Sequence, residues 1–386
     1  MTATQERAAT TDRAEITFQD CLKTGPDTIG GRYLRLFWQP VHLSADLPAG
    51  RAGPIRIMSE DFTLYRGESG DAHVVAFRCA HRGTQLSTGW VEGDALRCFY
   101  HGWKYDASGQ CIEQPAEPEP FCNRIKIRAY PTTEYLGLIF AYFGEGDAPE
   151  FERTPEFEKP EYVTVKSCKI WPSNFYTNID NGLDMTHVPR LHPQLGDTKF
   201  LHVLSARETE YGARVDGWTP PFHFCMPNIQ EFGARPRSGG TSRWMYGRGW
   251  RVPIDDCSHL RFDLQIAPVT GEEAQRYRER MAAPPPEGAA HLLEAAERVL
   301  AGEMWAGDLD PKFYGDVVNA QDYIAMVGIG NIANNPFDEH LGRADVGVSL
   351  LRSIWMRELR ALAEGRPLKE WHRRDDLWSG GPNSPA

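Results

Sequence analysis

The chain has no apolar run long enough to cross a bilayer, no block of basic residues and no internal repeat. The first absence excludes a membrane-spanning helix, which needs about 20 mostly apolar residues. The second, with a formal net charge of −11, argues against nucleic acid or an anionic membrane as the main partner, because phosphate-rich surfaces are held by clustered Lys and Arg. The opening MTATQERAATTDRAE carries charges and no hydrophobic segment of the secretory kind, so the expected location is the cytoplasm. Cysteine is sparse too, eight in 386 residues, without the dense spacing of small disulfide-stapled domains. Cysteines used this way serve metals or cores. Cys21, Cys168, Cys225 and Cys257 have no His or Cys at ligand spacing, and Cys111 and Cys122 read as small buried hydrophobes.

What is present divides the chain. Its length exceeds the size at which single cores stop growing, so two domains are expected. Residues 1–16 read as a polar tail. From about 30 to 146, short apolar runs (RYLRLFWQPVHL, PIRIMSEDFTLYRG, DAHVVAFRC, ALRCFYHGWKYD, LGLIFAYFG) alternate with Gly, Asp and Pro turns, the pattern of an all-β unit over 17–150. The acidic, proline-bearing GEGDAPEFERTPEFEKPE marks a boundary. Residues 151–370 then mix strand-like runs (RWMYGRGWRVPI, HLRFDLQIAPV) with helical stretches near 272–305, 314–330 and 345–364, so the overall class is α+β. Residues 371–386 read as a second tail.

Two constellations carry chemistry. Cys79 and His81 form C-x-H, and Cys98 and His101 form C-x-x-H sixteen residues later. Zinc fingers commonly pair Cys with Cys and His with His, whereas here each arm holds one of each. That is what a [2Fe–2S] cluster with two thiolates on one iron and two imidazoles on the other requires. Neutral imidazole leaves such a cluster less negative and raises its potential. Glycines after each arm let backbone approach the cluster, and Trp103 is expected to pack over one of its loops.

The second constellation is NGLDMTHVPRLH. Helical spacing would put Asn181, Asp184 and His187 on one stripe, with Pro189 bending the chain so that His192 swings back beside His187. Two imidazoles plus one carboxylate make a non-haem Fe(II) site. In DVVNAQDYIAMVGIG, helical spacing places Asp322 on an apolar stripe with Val318, Ala325, Met326 and Ile329, where an unpaired charge is costly and a metal would compensate it. Asp316, Asp338, Glu339 and Asp345 are weaker competitors in more polar surroundings. His42, His73, His202 and His291 read as ordinary core or surface histidines.

Through CAHRGTQLSTGWVEGDALRCFYHGWKYDASGQC the chain resembles the Rieske iron–sulfur domain. With D-x-x-H-x-x-x-x-H downstream and a late aspartate, it resembles the large (alpha) subunit of Rieske non-haem iron aromatic ring-hydroxylating oxygenases. TGPDTIGGRYLRLFWQP, VPIDD and NAQDYIAMVG followed by DEHLGRADVG look like the phthalate dioxygenase-like branch. The resemblance implies an N-terminal all-β Rieske domain and a C-terminal antiparallel-sheet-and-helix domain of helix-grip type. It also implies a [2Fe–2S] Rieske cluster on Cys79, His81, Cys98 and His101, and mononuclear Fe(II) on His187, His192 and Asp322. By the same resemblance Asp184 bridges His187 to the His101 of a neighbouring copy, in a homotrimer or a dimer of trimers, and Asn181 lies beside the iron. The implied partners are O2, a small aromatic acid and a separate reductase, with or without a ferredoxin. GIGNIA at 328–333 has a dinucleotide-like glycine spacing, yet follows a helix-like segment and leads into NNP, so no NADH site is expected. Hydroxylation, dihydroxylation and O-demethylation stay open. Arg243 and Arg248 are candidates for holding a substrate carboxylate, weighed against a role as solvated strand residues.

Overall fold

A computed structural model describes residues 15–160, 162–195, 205–217, 221–234, 245–283, 288, 291–314 and 317–372. Most of both expected tails, together with His202, Asp316 and Arg243, lies outside the described residues.

Three small antiparallel sheets occupy the stretch from Gln39 to Ala141. One element in this region departs from the expected pattern. RYLRL, read above as the start of a strand, ends a helix, Ile29–Arg35, and the strand begins only at Gln39. The reason is upstream. Thr28 caps the helix by accepting from Gly31 N at 3.1 Å, and a Cβ on Gly31 would meet the Gly25 carbonyl oxygen at 2.0 Å. The glycine pair thus lets the helix lie on the preceding turn, where Arg35 donates to the carbonyls of Thr24 and Met58. Capping and close approach outweigh the apolar alternation.

The sheet of Trp90–Glu92, Ala95–Arg97, Lys104–Tyr105 and Cys111–Glu113 carries the second cysteine loop. It has a core of its own, in which Leu86, Leu96, Trp103, Tyr105 and Cys111 surround Cys79 and Cys98. Cys111 is therefore a packing residue, as read from the sequence.

The second half is built on a seven-stranded antiparallel sheet. Its three longest strands, Val163–Trp171, Met245–Pro253 and His259–Ala267, pair along nearly their whole length. The helix Val346–Ala363 packs on the far strands Ser205–Glu208 and Gly212–Asp216. Its fully buried Trp355 stacks edge-on against Tyr33 and Tyr176, centroids 5.2 and 5.4 Å away. The two halves share one hydrophobic core, running from Phe62 and Phe143 to Phe262 and Trp355. Backbone bonds cross between them, Met58 N to Pro253 O at 2.7 Å and Ser59 N to Ile254 O at 2.8 Å. Among the described residues no helix is long and apolar enough to cross a membrane.

Candidate metal centres

The cysteine and histidine loops meet at one end of the small sheet. Each turns back through a glycine, with Gly83 N bonded to Cys79 O at 2.9 Å and Gly102 N to Cys98 O at 3.1 Å. Both glycines adopt φ +75°, which L side chains disfavour. Cys79 and Cys98 are buried, and burial together with the facing Cys79 thiol raises the Cys98 pKa. His81 and His101 lie with ring centroids 4.5 Å apart, and the Nδ1 of His81 is buried with no hydrogen-bond partner. Two apposed thiols and an orphaned ring nitrogen are what a cluster bound by two sulfurs and two imidazoles would satisfy, so the residues present fit it. Trp103 stacks on His81 at 4.5 Å with planes 6° apart, as expected. Tyr105 was not singled out from the sequence. Its hydroxyl lies 3.2 Å from Cys79 Sγ and accepts from Ala80 N, also at 3.2 Å. Only its buried strand position two residues past Trp103 could have drawn attention to it.

The second centre is assembled from two distant helices. The helix that leads into the two histidines, Phe175–Leu183, called the ligand helix below although it ends before both, starts at Asn174, whose side chain accepts from Tyr176 N at 2.9 Å. It ends sooner than expected, because Asp184 is extended (φ −85°, ψ 93°) and closes the helix. The stripe Asn181–Asp184–His187 is therefore not one helical face. Asp184 prefers a local turn, its carboxylate accepting from Thr186 N at 2.9 Å and from Thr186 Oγ1 at 2.6 Å. Pro189 ends nothing. It sits in the first turn of a short helix, Val188–Leu191, where its missing N–H costs no bond.

That break aims both histidines inward. His187 Nδ1–H donates to the Asp184 carbonyl, leaving Nε2 to face Asp322 Oδ1 at 3.7 Å. His192 Nδ1–H donates to Gln321 Oε1 at 2.8 Å, leaving Nε2 3.0 Å from the same oxygen. Asp322 comes from the helix Val318–Gly328, as its apolar surroundings suggested. One ligand atom from each of the three lies within 4.8 Å of the other two, a set suited to an octahedral metal with open positions. Burial raises the Asp322 pKa, but the His192 bond and the charges of His192, His187 and Arg261 outweigh it and hold the carboxyl below its usual range. Asn181 Nδ2 lies 3.4 Å from Asp322 Oδ1 and 3.5 Å from His187 Nε2, inside the constellation. Gln321 was missed, although it directly precedes Asp322 in NAQD; helix geometry swings it onto the second histidine.

A cavity of about 290 Å³ borders this centre on the Asp184 and His187 side. Its charged lining is mostly acidic, with Asp180, Asp184, Glu339 and Asp345, and Arg352 is the only Lys or Arg among the described lining residues. Arg352 is already engaged, bonding Asp180 Oδ2 at 2.5 Å and Glu339. Burial pushes the Asp180 carboxyl up to about 7 in spite of Arg352. Arg248 is neither solvated nor free to meet a ligand. It lies 2.6 Å from the buried Glu231 and stacks over Phe157. GIGNIA closes the Asp322 helix and does not lead from a strand into a helix, the setting a dinucleotide fingerprint requires.

The fold and these two centres define a Rieske-type non-haem iron oxygenase, and residues 37–131 match the family model of the Rieske [2Fe-2S] domain. The relatives that match along most of the chain are oxygenase subunits of multicomponent aromatic oxygenases, so the chain is an oxygenase subunit of the Rieske non-haem iron type, with a [2Fe–2S] cluster and a mononuclear iron as its cofactors. It is 26% identical to the oxygenase subunit of 5,5'-dehydrodivanillate O-demethylase from Sphingobium sp. over 90% of this chain and 80% of that protein. It is 36% identical to the oxygenase subunit of phthalate 4,5-dioxygenase from Pseudomonas putida over 62% of this chain and 53% of that protein. Among solved structures, the oxygenase of carbazole 1,9a-dioxygenase in its reduced complex with ferredoxin shares the fold at a TM-score of 0.62 and 19% identity, covering 95% of this chain and all of that one.

Proposed function

We propose that Cys79, His81, Cys98 and His101 hold the cluster in a domain of residues 17–150, and that His187, His192 and Asp322 hold ferrous iron in a domain of residues 151–370. The observation that carries this reading is the convergence of His187 Nε2 and His192 Nε2 on Asp322 Oδ1, each imidazole fixed through its other nitrogen. Bound there, the two groups supply one-electron transfer and activation of O2. The chain's own residues supply position. Asp184 touches His187 Nδ1 at 3.7 Å and borders the acidic cavity, so it links this centre to whatever docks beside it. Asn181 holds an amide against the ligand set.

The occupant of that docking side is a second copy of the chain, in a head-to-tail trimer or a pair of trimers. Trp90, Phe99 and Tyr100 are all more than half exposed, Tyr100 lying against His101 and Trp90 against Phe99, and the exposed Phe337 and Leu341 line the Asp184 cavity. Two exposed apolar patches, each beside a metal centre, suit one heterologous contact that joins His101 to Asp184. Electrons arrive from a separate NAD(P)H-dependent reductase, directly or through a ferredoxin. The substrate is a substituted aromatic acid met in catabolism in the cytoplasm, and it is hydroxylated, dihydroxylated or O-demethylated. The test is a panel of aromatic acids offered to the purified holoenzyme with a surrogate reductase, scoring O2 uptake matched to product. Coupled product from at least one acid, and no NADH consumption by this chain alone, is the expected result. Cluster reduction without product from any substrate would replace this reading with an electron carrier fused to a binding domain.

A further inference from the structure

The face of the large sheet that turns toward the ligand helix carries two arginines opposite each other, Arg251 and Arg261. Arg251 is spent inside the protein. It donates to Asn178 of the ligand helix, to Gln230 Oε1 at 2.7 Å, to Asp263 Oδ1 at 3.1 Å and to the Trp250 carbonyl at 3.3 Å. Gly249 leaves the space for this, since a Cβ there would meet Arg251 Nη1 at 2.5 Å and Asp263 Oδ1 at 2.6 Å.

Arg261 differs. Its Nε donates to Asp263 Oδ2 at 2.7 Å and its guanidinium lies 5.1 Å over the Trp171 ring, while both terminal amino groups have no partner among the described residues. The side chain is 15% exposed, so the fork is not sealed in the core. Neighbours on both sides locate the fork. His259, on the same strand face, bonds the Ser173 carbonyl at the entry to the ligand helix, and Trp171 packs on Tyr323 beside Asp322. Asp322 keeps 15% of its side chain exposed and is not among the residues that line the acidic cavity.

We propose that Arg261 is a specificity-determining residue: its free guanidinium fork takes the carboxylate of an aromatic acid and sets the ring beside Asp322 and the histidines. This rests on the aromatic-acid reading above. The acidic cavity on the other side cannot do the same, because its one cation is saturated by Asp180 and Glu339. Arg261, by contrast, has its Nε tied and its plane stacked, so two parallel N–H donors are already oriented for a bidentate pair.

The experiment compares wild type with Arg261→Gln and Arg261→Lys, each as holoenzyme with unchanged visible absorption and iron content. Dissociation constants are measured by equilibrium dialysis for a set of benzoates (phthalate, 3-chlorobenzoate, 3-phenoxybenzoate and 3-methoxybenzoate) and their matching amides. The expected result is that wild type prefers acid over amide in at least one pair, that Arg261→Gln weakens acid binding about 10- to 100-fold while leaving the amide within about twofold, and that Arg261→Lys recovers part of the loss. A wild-type preference that survives Arg261→Gln overturns the role of Arg261 and leaves the aromatic-acid reading standing. A wild type indifferent to acid or amide in every pair overturns both.

Discussion

The two proposed metal centres are built on opposite plans. The cluster loops lie within 23 residues of sequence, Cys79 to His101, and close on a small core of their own. The proposed iron site draws His187 and His192 from one segment and Asp322 from a helix about 130 residues later, joined by a few side-chain bonds such as His192 to Gln321 and by the packing of that helix on Trp171 of the large sheet. A local site depends on its loops, whereas a dispersed one depends on the whole fold.

The largest expected effect tests that difference directly. Cys98→Ser should abolish the visible absorption of the cluster and reduce product to background, while iron at the second centre, measured by metal analysis, stays. His192→Ala should also reduce product to background but leave the visible spectrum intact and remove only the mononuclear iron. Loss of both groups in either variant would mean the centres are not separately built.

Asp184→Asn sharpens the comparison at the proposed junction between the centres. It keeps the shape but removes the charge that faces His187, so product formation should fall about 10- to 100-fold, with cluster reduction by the electron donor unchanged. Unchanged turnover would remove Asp184 from the route.

The smallest effect concerns the frame behind the dispersed site. Glu208 bonds Arg357 at 2.7 Å and Lys369 at 2.6 Å, tying the C-terminal helix to the sheet edge, and Arg357 first, then Lys369, bring its carboxyl down from 4.5 to about 2. A carboxyl lowered by folding stabilises the protein above its unfolded pKa and loses that contribution as pH falls toward the folded value. The unfolding free energy followed from pH 5 to pH 3 should therefore drop more in wild type than in Glu208→Gln, by about 1 kcal/mol at this partly exposed position. Equal slopes would show that the clamp adds nothing.

The same contrast explains what was legible in the sequence. Cys79, His81, Cys98 and His101 announce themselves because ligand type and spacing are local. Asp322 was legible for a different reason, as a charge on an apolar helical stripe. The helix break at Asp184 was not, because the competing bond from Thr186 is a property of the turn and not of the 3.6-residue period. Arg248 was misjudged because its partner Glu231 lies across a strand pair, and Arg261 went unnoticed because its open fork is defined by what Arg251 consumes. The helix Ile29–Arg35 hid behind an apolar pattern that its glycines override.

The backbone bonds from Met58 and Ser59 into the strand ending at Pro253 rivet the cluster-bearing half to the catalytic half. With one continuous core behind them, neither half is free to swing on a hinge. Any route for charge is then laid out by fixed positions, on the proposed assembly as within the chain, and owes nothing to the internal motion of machines with swinging arms.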